Sequence, residues 1–500
     1  MANLKSLAKD TAIYGLSSIV GRFLNYLLVP LYTTAMTAAS GSYGIVTNVY
    51  AYTALLLVLL TFGMETSFFR FVNKKDEDPE RVYSTTLWLV GGTGAFFSLA
   101  VWLGLEPLSA LLGYGEHPEY IGMMFVCVAI DAFQCIPFAY LRHQNRPVKF
   151  AVLKLSFIFM NIGLNLLYYV GLPALYALPQ WHDAVSAVYD PQVGVGYVFR
   201  INLFCTAAIL PLFWQELTGF RPVFDRGIAR RMLRYGWPIL VLGLAGILNQ
   251  TADKILYPLI KSGPEGHVEL GIYGACVKVA MIMALITQAF RYAYEPFVFR
   301  KNREGDNRDM YARAMKYFLM FTLLAFLTVV GYMDLLRYLI APDYWEGLRV
   351  VPIVMVAEIM MGIYFNLSFW YKLTDRTIWG AWFSGIGCGV LLLVNVLFIP
   401  HYGYMACAWA GVAGYGTAMI LSYVAGQHYY PIRYPMKSML AYVGVTAILY
   451  GIMLLVPDEW PLAARLAANT AIIGAFVAHM VYYDLPLRDL PVIGRYFRRE

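Results

Sequence analysis

Apolar residues along the chain come in runs of about twenty, separated by short polar joins. A helix needs about 20 mostly apolar residues to cross the hydrocarbon layer, so each run of that length predicts one transmembrane span. The runs lie at 11–33, 43–69, 85–104, 121–141, 150–170 and 194–214, then at 234–258, 271–295, 316–340, 349–371, 380–398, 403–424, 439–456 and 463–483. Fourteen spans are predicted. The joins carry proline, glycine and charge, the ordinary punctuation of helix ends. None is long enough for a separate soluble domain. The run after MANLKSLAKD is too long for a cleavable leader and has no small-residue cleavage site, so it reads as the first span.

Lysine and arginine fix the orientation. Alternate joins, starting with the amino terminus, hold 28 of the 38 basic residues, among them Arg142, Arg146 and Lys149, then Arg221, Arg226, Arg230 and Arg231. The opposite joins hold Lys261 alone. The positive-inside rule then places both termini in the cytoplasm. A missed span would invert everything after it, so the unbroken alternation supports the count of fourteen.

Composition agrees. The 500 residues are 60% hydrophobic and 14% charged, against roughly a quarter charged in soluble chains. A soluble enzyme, a disordered chain and a disulfide-stapled secreted domain are excluded as poor fits. The net charge of +7 follows from the basic joins and calls for no nucleic acid. The six cysteines all fall inside apolar runs without CxxC spacing, so neither disulfide nor metal is expected.

An internal repeat divides the chain. Tyr43-Gly44, Glu65 and Arg70 recur at identical spacing as Tyr273-Gly274, Glu295 and Arg300, and each copy is preceded by another span-opening pair, Tyr14-Gly15 and Tyr235-Gly236. The offset covers six spans, an even number, so both copies point the same way, as in parallel transporter repeats. The expected organisation is a six-helix lobe at 1–216, a cytoplasmic connector at 217–233, a second six-helix lobe at 234–425, and two extra helices with a basic tail at 426–500. The fold class is an all-α integral membrane protein. A membrane scaffold of duplicated origin is the plain alternative to a transporter.

Ionisable groups inside spans are costly and face a cavity or a partner. Arg22 stands about eleven residues from either end of the first span, so ~16 Å from each interface, too deep to snorkel fully. Gly15, Ser18 and Asn25 share its helical face. A salt bridge to Asp131 or Glu358 is the structural alternative to cavity lining. In the seventh span Asn249 and Asp253 share a face, with Lys254 adjacent; Lys278 lies in the eighth, and an Asp253–Lys278 pair would merely neutralise itself. Arg291 shares a face with Gln288 and Glu295 and stands close enough to the cytoplasmic end to snorkel. Arg200 and Arg337 read as interface anchors, and Glu65 and Glu295 as partners of loop arginines. Arg22, Lys278, Lys254 and Arg291, with Asn25 and Asn249, form a candidate cationic binding surface. Asp253, Asp131 and Glu358 are candidates for coupling or charge pairing. Such a surface favours an anion, and arginine forks suit phosphate oxygens.

Catalytic signatures are missing. There is no Gly-Lys dipeptide, hence no Walker loop, and no HExxH. The largest outer join, about 171–193, has no lysine or arginine, is rich in Pro, Tyr and Ala, and offers only Asp183 and Asp190. No enzyme activity and no cofactor are expected.

LAKDTAIYGLSSIVGRFLNYLLVPLYT and YGIVTNVYAYTALLLVLLTFGMETSFFRF, with LRYGWPILVLGLAGILNQTADKIL and GIYGACVKVAMIMALITQAFRYAYEPFVFR, resemble the polysaccharide-transporter branch of the multidrug/oligosaccharidyl-lipid/polysaccharide exporter superfamily. The resemblance covers about 1–75 and 230–300. It implies a MATE-like fold of two lobes plus two helices. It places Asp253-Lys254 and Lys278 where that family tends to carry an acid–base pair and a lysine. By the same resemblance the chain is a monomeric flippase in the bacterial inner membrane. It would move undecaprenyl-diphosphate-linked oligosaccharides outward for O-antigen, capsule or exopolysaccharide synthesis, alongside polysaccharide polymerase machinery. A lipid II-type flippase and a cation-coupled drug or small-molecule exporter are the alternatives. Drug exporters of the superfamily use an acid in the first lobe, often in the first span, whereas Arg22 stands here and the only acid is Asp10.

Overall fold

The computed structural model describes residues 24, 26, 28–302, 308–374 and 376–484. Among them there is no strand, and thirteen helices are long and apolar enough to cross a membrane. Leu28–Ala35 (α1) is the described remainder of the first expected span. Then follow Ser42–Val72 (α2), Pro79–Leu103 (α3), Pro118–His143 (α4), Pro147–Tyr176 (α5), Gly196–Thr218 (α6) and Arg226–Ile260 (α7). The remainder are Pro264–Asn302 (α8), Arg308–Gly331 (α9), Pro342–Leu373 (α10), Ile378–Tyr402 (α11), Tyr404–Tyr429 (α12), Met436–Leu454 (α13) and Leu462–Tyr483 (α14). Each expected span from the second onward has one counterpart.

Local chemistry sets the ends. Helices α3, α4, α5, α8 and α10 open on proline, whose fixed φ suits the first helical position and whose missing N–H is not needed there. Asp225 caps α7 by accepting from the backbone N–H of Gly227 (2.8 Å) and Ile228 (3.0 Å). That cap starts the helix eight residues before the expected span. The ninth span is displaced from 316–340: α9 ends at Gly331, and Met333–Leu339 forms two short turns instead. The cause is polar. Asp334 is bound by Arg337 and Arg465, which fastens this stretch as a surface cap.

The contacts divide the chain into two compact units, one of residues 1–275 with 395–404 and one of 276–394 with 405–500. In the first, α4 packs against α2, α3 and α6, and α7 against α2 and α3. Its core at the basic end gathers Phe68, Tyr83, Ile136 and Met232. Tyr83 stacks on Tyr140 at 3.9 Å and donates its hydroxyl to the Glu216 carbonyl (2.9 Å). Glu65 is paired with Arg142, a basic residue of the join, as expected. In the second unit α9 packs on α10, α13 and α14. The two extra helices are fastened to α9 by Asn469 donating to the Gly331 carbonyl (2.8 Å), and by Asp484, which takes Lys316 and the Tyr442 hydroxyl. The expected lobes rest on the repeat in the sequence, and the contact-based units cut the chain elsewhere.

The repeated Tyr-Gly pairs have a packing reason. Lipid tails are as apolar as leucine, so helices in a bilayer associate through close packing, which small residues permit. A Cβ on Gly44 would meet the His267 carbonyl oxygen at 1.8 Å, and one on Gly274 would meet Thr47 Oγ1 at 2.6 Å. Helices α2 and α8 therefore cross with backbones in contact at the two equivalent glycines.

Candidate functional site

The first group of predicted residues lies on α7. Lys254 Nζ reaches both Asp253 oxygens, at 3.0 and 3.1 Å, and the Tyr273 hydroxyl donates to Asp253 Oδ2 at 2.7 Å. The Asn48 side chain donates to the Lys254 carbonyl (2.7 Å) and accepts from Tyr114 (2.7 Å). This is a local acid–base pair pinned by two other elements. Lys254 adds little net charge beside Asp253, which lowers its share in the cationic surface inferred from the sequence. Asn249 is buried one turn earlier and donates to the Ala245 carbonyl at 3.0 Å. Arg22 and Asn25 lie outside the described residues, as does the side chain of Glu295.

The second group surrounds Asp131 on α4. Thr206 of α6 donates to its carboxylate at 3.3 Å, and Gln134 donates to the Thr206 carbonyl at 2.7 Å. The Lys154 charge on α5 couples to both Asp131 and Glu65. Lys154 was not among the predicted residues. It stands a turn inside the cytoplasmic edge of its expected span, where depth alone marks it as an edge residue. Its head lies over the Phe138 ring at 4.1 Å, a cation–π contact worth roughly 0.5–2 kcal/mol.

The third group is in the second unit. Arg291 lies over the Phe365 ring at 4.8 Å and Lys372 over Phe369 at 5.2 Å. Phe365, Phe369 and Lys372 follow one another at four- and three-residue spacing, so α10 presents them as one stripe. Thr287, Tyr294 and Asn366 complete a narrow cleft with Arg291. The room in it is about 10 Å³, that of about one water. Lys372 was also missed, because a lysine at a helix end counts as an orientation residue. Lys278 is thirteen residues before Arg291 on α8, ~20 Å along the axis, so those two do not form one site. Glu358 is half-buried on α10, about 10 Å of helix rise from Phe365.

The candidates among the described residues form separate groups within each unit of an all-α membrane protein. Among the described residues no cluster of three or more His, Cys, Asp or Glu side chains is placed to hold a metal. Residues 7–291 match the family model described as polysaccharide biosynthesis protein.

The chain belongs to the polysaccharide biosynthesis protein family.

With thirteen helices long and apolar enough to cross a membrane among its described residues, it is a multi-pass membrane member of that family. Among solved structures, the lipid II flippase MurJ in an inward closed conformation is similar at a TM-score of 0.69 and 12% identity, over 95% of this chain and 99% of that one. An inward-facing MATE-family multidrug resistance transporter of the MOP superfamily is similar at 0.60 and 15% identity, over 81% and 93% of the two chains. The MATE multidrug transporter DinF-BH gives 0.56 and 14%, over 85% and 96%. At such identities these likenesses establish the fold. No curated protein sequence matches the chain.

Proposed function

We propose that this family member is a flippase that moves oligosaccharides linked to a lipid diphosphate from the cytoplasmic to the outer side of a bacterial inner membrane. The observation that carries it is the pair of cations, Arg291 of α8 and Lys372 of α10, on the α10 aromatic stripe in a chain of the polysaccharide biosynthesis family. Guanidinium and ammonium groups beside aromatic faces suit a diphosphate joined to an apolar chain. Arg22, which the sequence places deep in the first span, is a further candidate for binding a diphosphate headgroup. An interior-negative potential favours outward movement of that headgroup by about 2.3 kcal/mol per charge per 100 mV, if its charge crosses uncompensated.

The test replaces the cations and follows surface glycan. The Arg291→Ala/Lys372→Ala protein should insert normally and lose most export, and Arg22→Ala should do the same. Arg22→Lys, which keeps the charge but loses the planar fork, should retain part. Full export by a well-expressed doubly substituted protein would remove the cleft from the mechanism. The fold likeness to MurJ favours a second reading, a lipid II-type flippase. In that case loss of the protein would stop cell-wall growth rather than surface glycan.

A further inference from the structure

A second pocket lies within the first unit, at the end that the basic-residue asymmetry assigns to the outside. It is lined by His117, Glu119 and Tyr120 at the start of α4, Asp190, Gln192 and Val193 of the α5–α6 join, and Arg200 of α6. The room in it is about 180 Å³, enough for roughly a dozen waters at 10–15 Å³ each. One hexose has about as many non-hydrogen atoms.

Its chemistry is mixed in a particular way. The floor is apolar: Tyr120 and Val193 are largely covered, and His117 stacks on Tyr120 at 4.8 Å with 13° between the rings. The rim is polar and exposed: two carboxylates, an amide, a guanidinium and the outer edge of an imidazole. A pyranose presents the same alternation, with C–H faces that lie against apolar or aromatic surface and hydroxyls around the edge that donate and accept. Carboxylates and amides accept from such hydroxyls, and guanidinium donates to them.

The walls are fixed in advance. The Tyr197 hydroxyl accepts from the Asp190 backbone N–H (2.7 Å), the Asp190 side chain accepts from the Gln192 N–H (2.9 Å), and the Tyr169 hydroxyl donates to the Gly194 carbonyl (2.9 Å). Tyr189 stacks on Tyr197 at 5.6 Å behind them. Packing among these rings turns the tyrosine-rich join into a wall, and a preformed site binds with less ordering cost. Glu119 Oε1 lies 3.0 Å from His117 Nδ1, and the remaining oxygens of the two carboxylates against the single guanidinium leave the rim with a surplus of acceptors.

We infer that this pocket is a saccharide subsite for neutral sugars, on the outer face of the first unit, where the sugar end of an exported cargo would rest. The cargo's identity rests on the flippase reading; the sugar-binding chemistry does not. Purified full-length protein in detergent would be tested by saturation-transfer NMR with free glucose, galactose, mannose and N-acetylglucosamine, and with glucuronate as the anionic contrast. At least one neutral sugar should receive saturation, and glucuronate should receive far less. In Glu119→Gln/Asp190→Asn, which keeps the shape of the rim, affinity should fall roughly tenfold for each charged acceptor lost. Thermal stability should change little, because both side chains are exposed, an amide oxygen can still accept from the Gln192 N–H, and the exposed His117–Glu119 contact is worth little. Transfer to none of the four sugars, undiminished transfer in the doubly substituted protein, or transfer to glucuronate as strong as to the neutral sugars would overturn the assignment. A wrong flippase reading would show instead in the export phenotype, so the two failures are distinct.

Discussion

Gly44→Ala tests the packing account at the point where it is least forgiving. The added Cβ would lie 1.8 Å from the His267 carbonyl oxygen and 2.7 Å from its carbon. An ordinary C···O contact is about 3.3–3.6 Å, so α2 and α8 must part by about 1.5 Å. A radial gap of only 0.5–1 Å already forfeits a quarter to a half of each dispersion well. Overpacking typically costs about 1–3 kcal/mol. Because the obstacle here is backbone and cannot rotate away, the upper end applies. The comparison is Gly92→Ala, whose Cβ meets nothing within 4 Å and which gains about 0.5–1 kcal/mol from helix propensity. Melting of the purified proteins, followed by size-exclusion of a fluorescent fusion, should place Gly44→Ala well below wild type and Gly92→Ala at or slightly above it. Equal melting of the two variants would refute the close crossing of α2 and α8.

Glu216, almost fully buried at the end of α6, takes Lys149 at 2.7 Å and Arg146 at 3.6 Å. Lys149→Met should therefore destabilise more than Glu216→Gln, about 3–5 against about 1.5–3 kcal/mol, and the double variant should cost less than the sum; additive losses in a thermal or denaturant series would argue against the pair. The Ile228 and Gly227 N–H groups, with Arg231 and Arg81, outweigh partial desolvation and hold the Asp225 carboxyl below its ordinary range. Its stabilising share is present above the unfolded value of about 3.9 and is lost as pH falls through the lower folded value. The melting difference between wild type and Asp225→Asn should thus be constant near neutrality and vanish in acid, and a difference that grows in acid would contradict the cap. Reporter fusions after residues 75, 225, 305 and 500 should read cytoplasmic, and those near 38, 180 and 345 external; a cytoplasmic signal at 180 would break the topology of the first lobe.

The spans from the second onward were legible because a bilayer imposes one length on every crossing, and that length survives in the sequence as runs of apolar residues. Boundaries were less so. The α7 start was hidden in a basic stretch, because the single capping residue Asp225 lies among arginines, and the end of α9 was hidden because Asp334 finds Arg465 more than a hundred residues later. The same long-range pairing limits the site. Depth marks Arg22 and Lys278 as candidates from sequence, and Arg291 is marked by the polar face it shares with Gln288 and Glu295. What makes Lys154 notable is the Phe138 ring that α4 lays under it, and what makes Lys372 notable is the Phe369 ring three residues earlier on its own helix beside Arg291 of α8. The Tyr-Gly repeat was visible as a spacing, and its cause emerged only with the crossing of α2 and α8.

The central claim is outward movement of lipid-linked oligosaccharide, and the direct measurement is where that lipid accumulates when the protein is removed. Spheroplasts of a depleted strain, treated with an impermeant periodate reagent that oxidises exposed sugars, should hold lipid-linked oligosaccharide protected from the reagent, with little surface polysaccharide. Restoring the wild-type protein should return both to normal, and restoring the Arg291→Ala/Lys372→Ala form should not. Lipid-linked oligosaccharide that remains open to the reagent after depletion, with surface polysaccharide intact, would contradict the account.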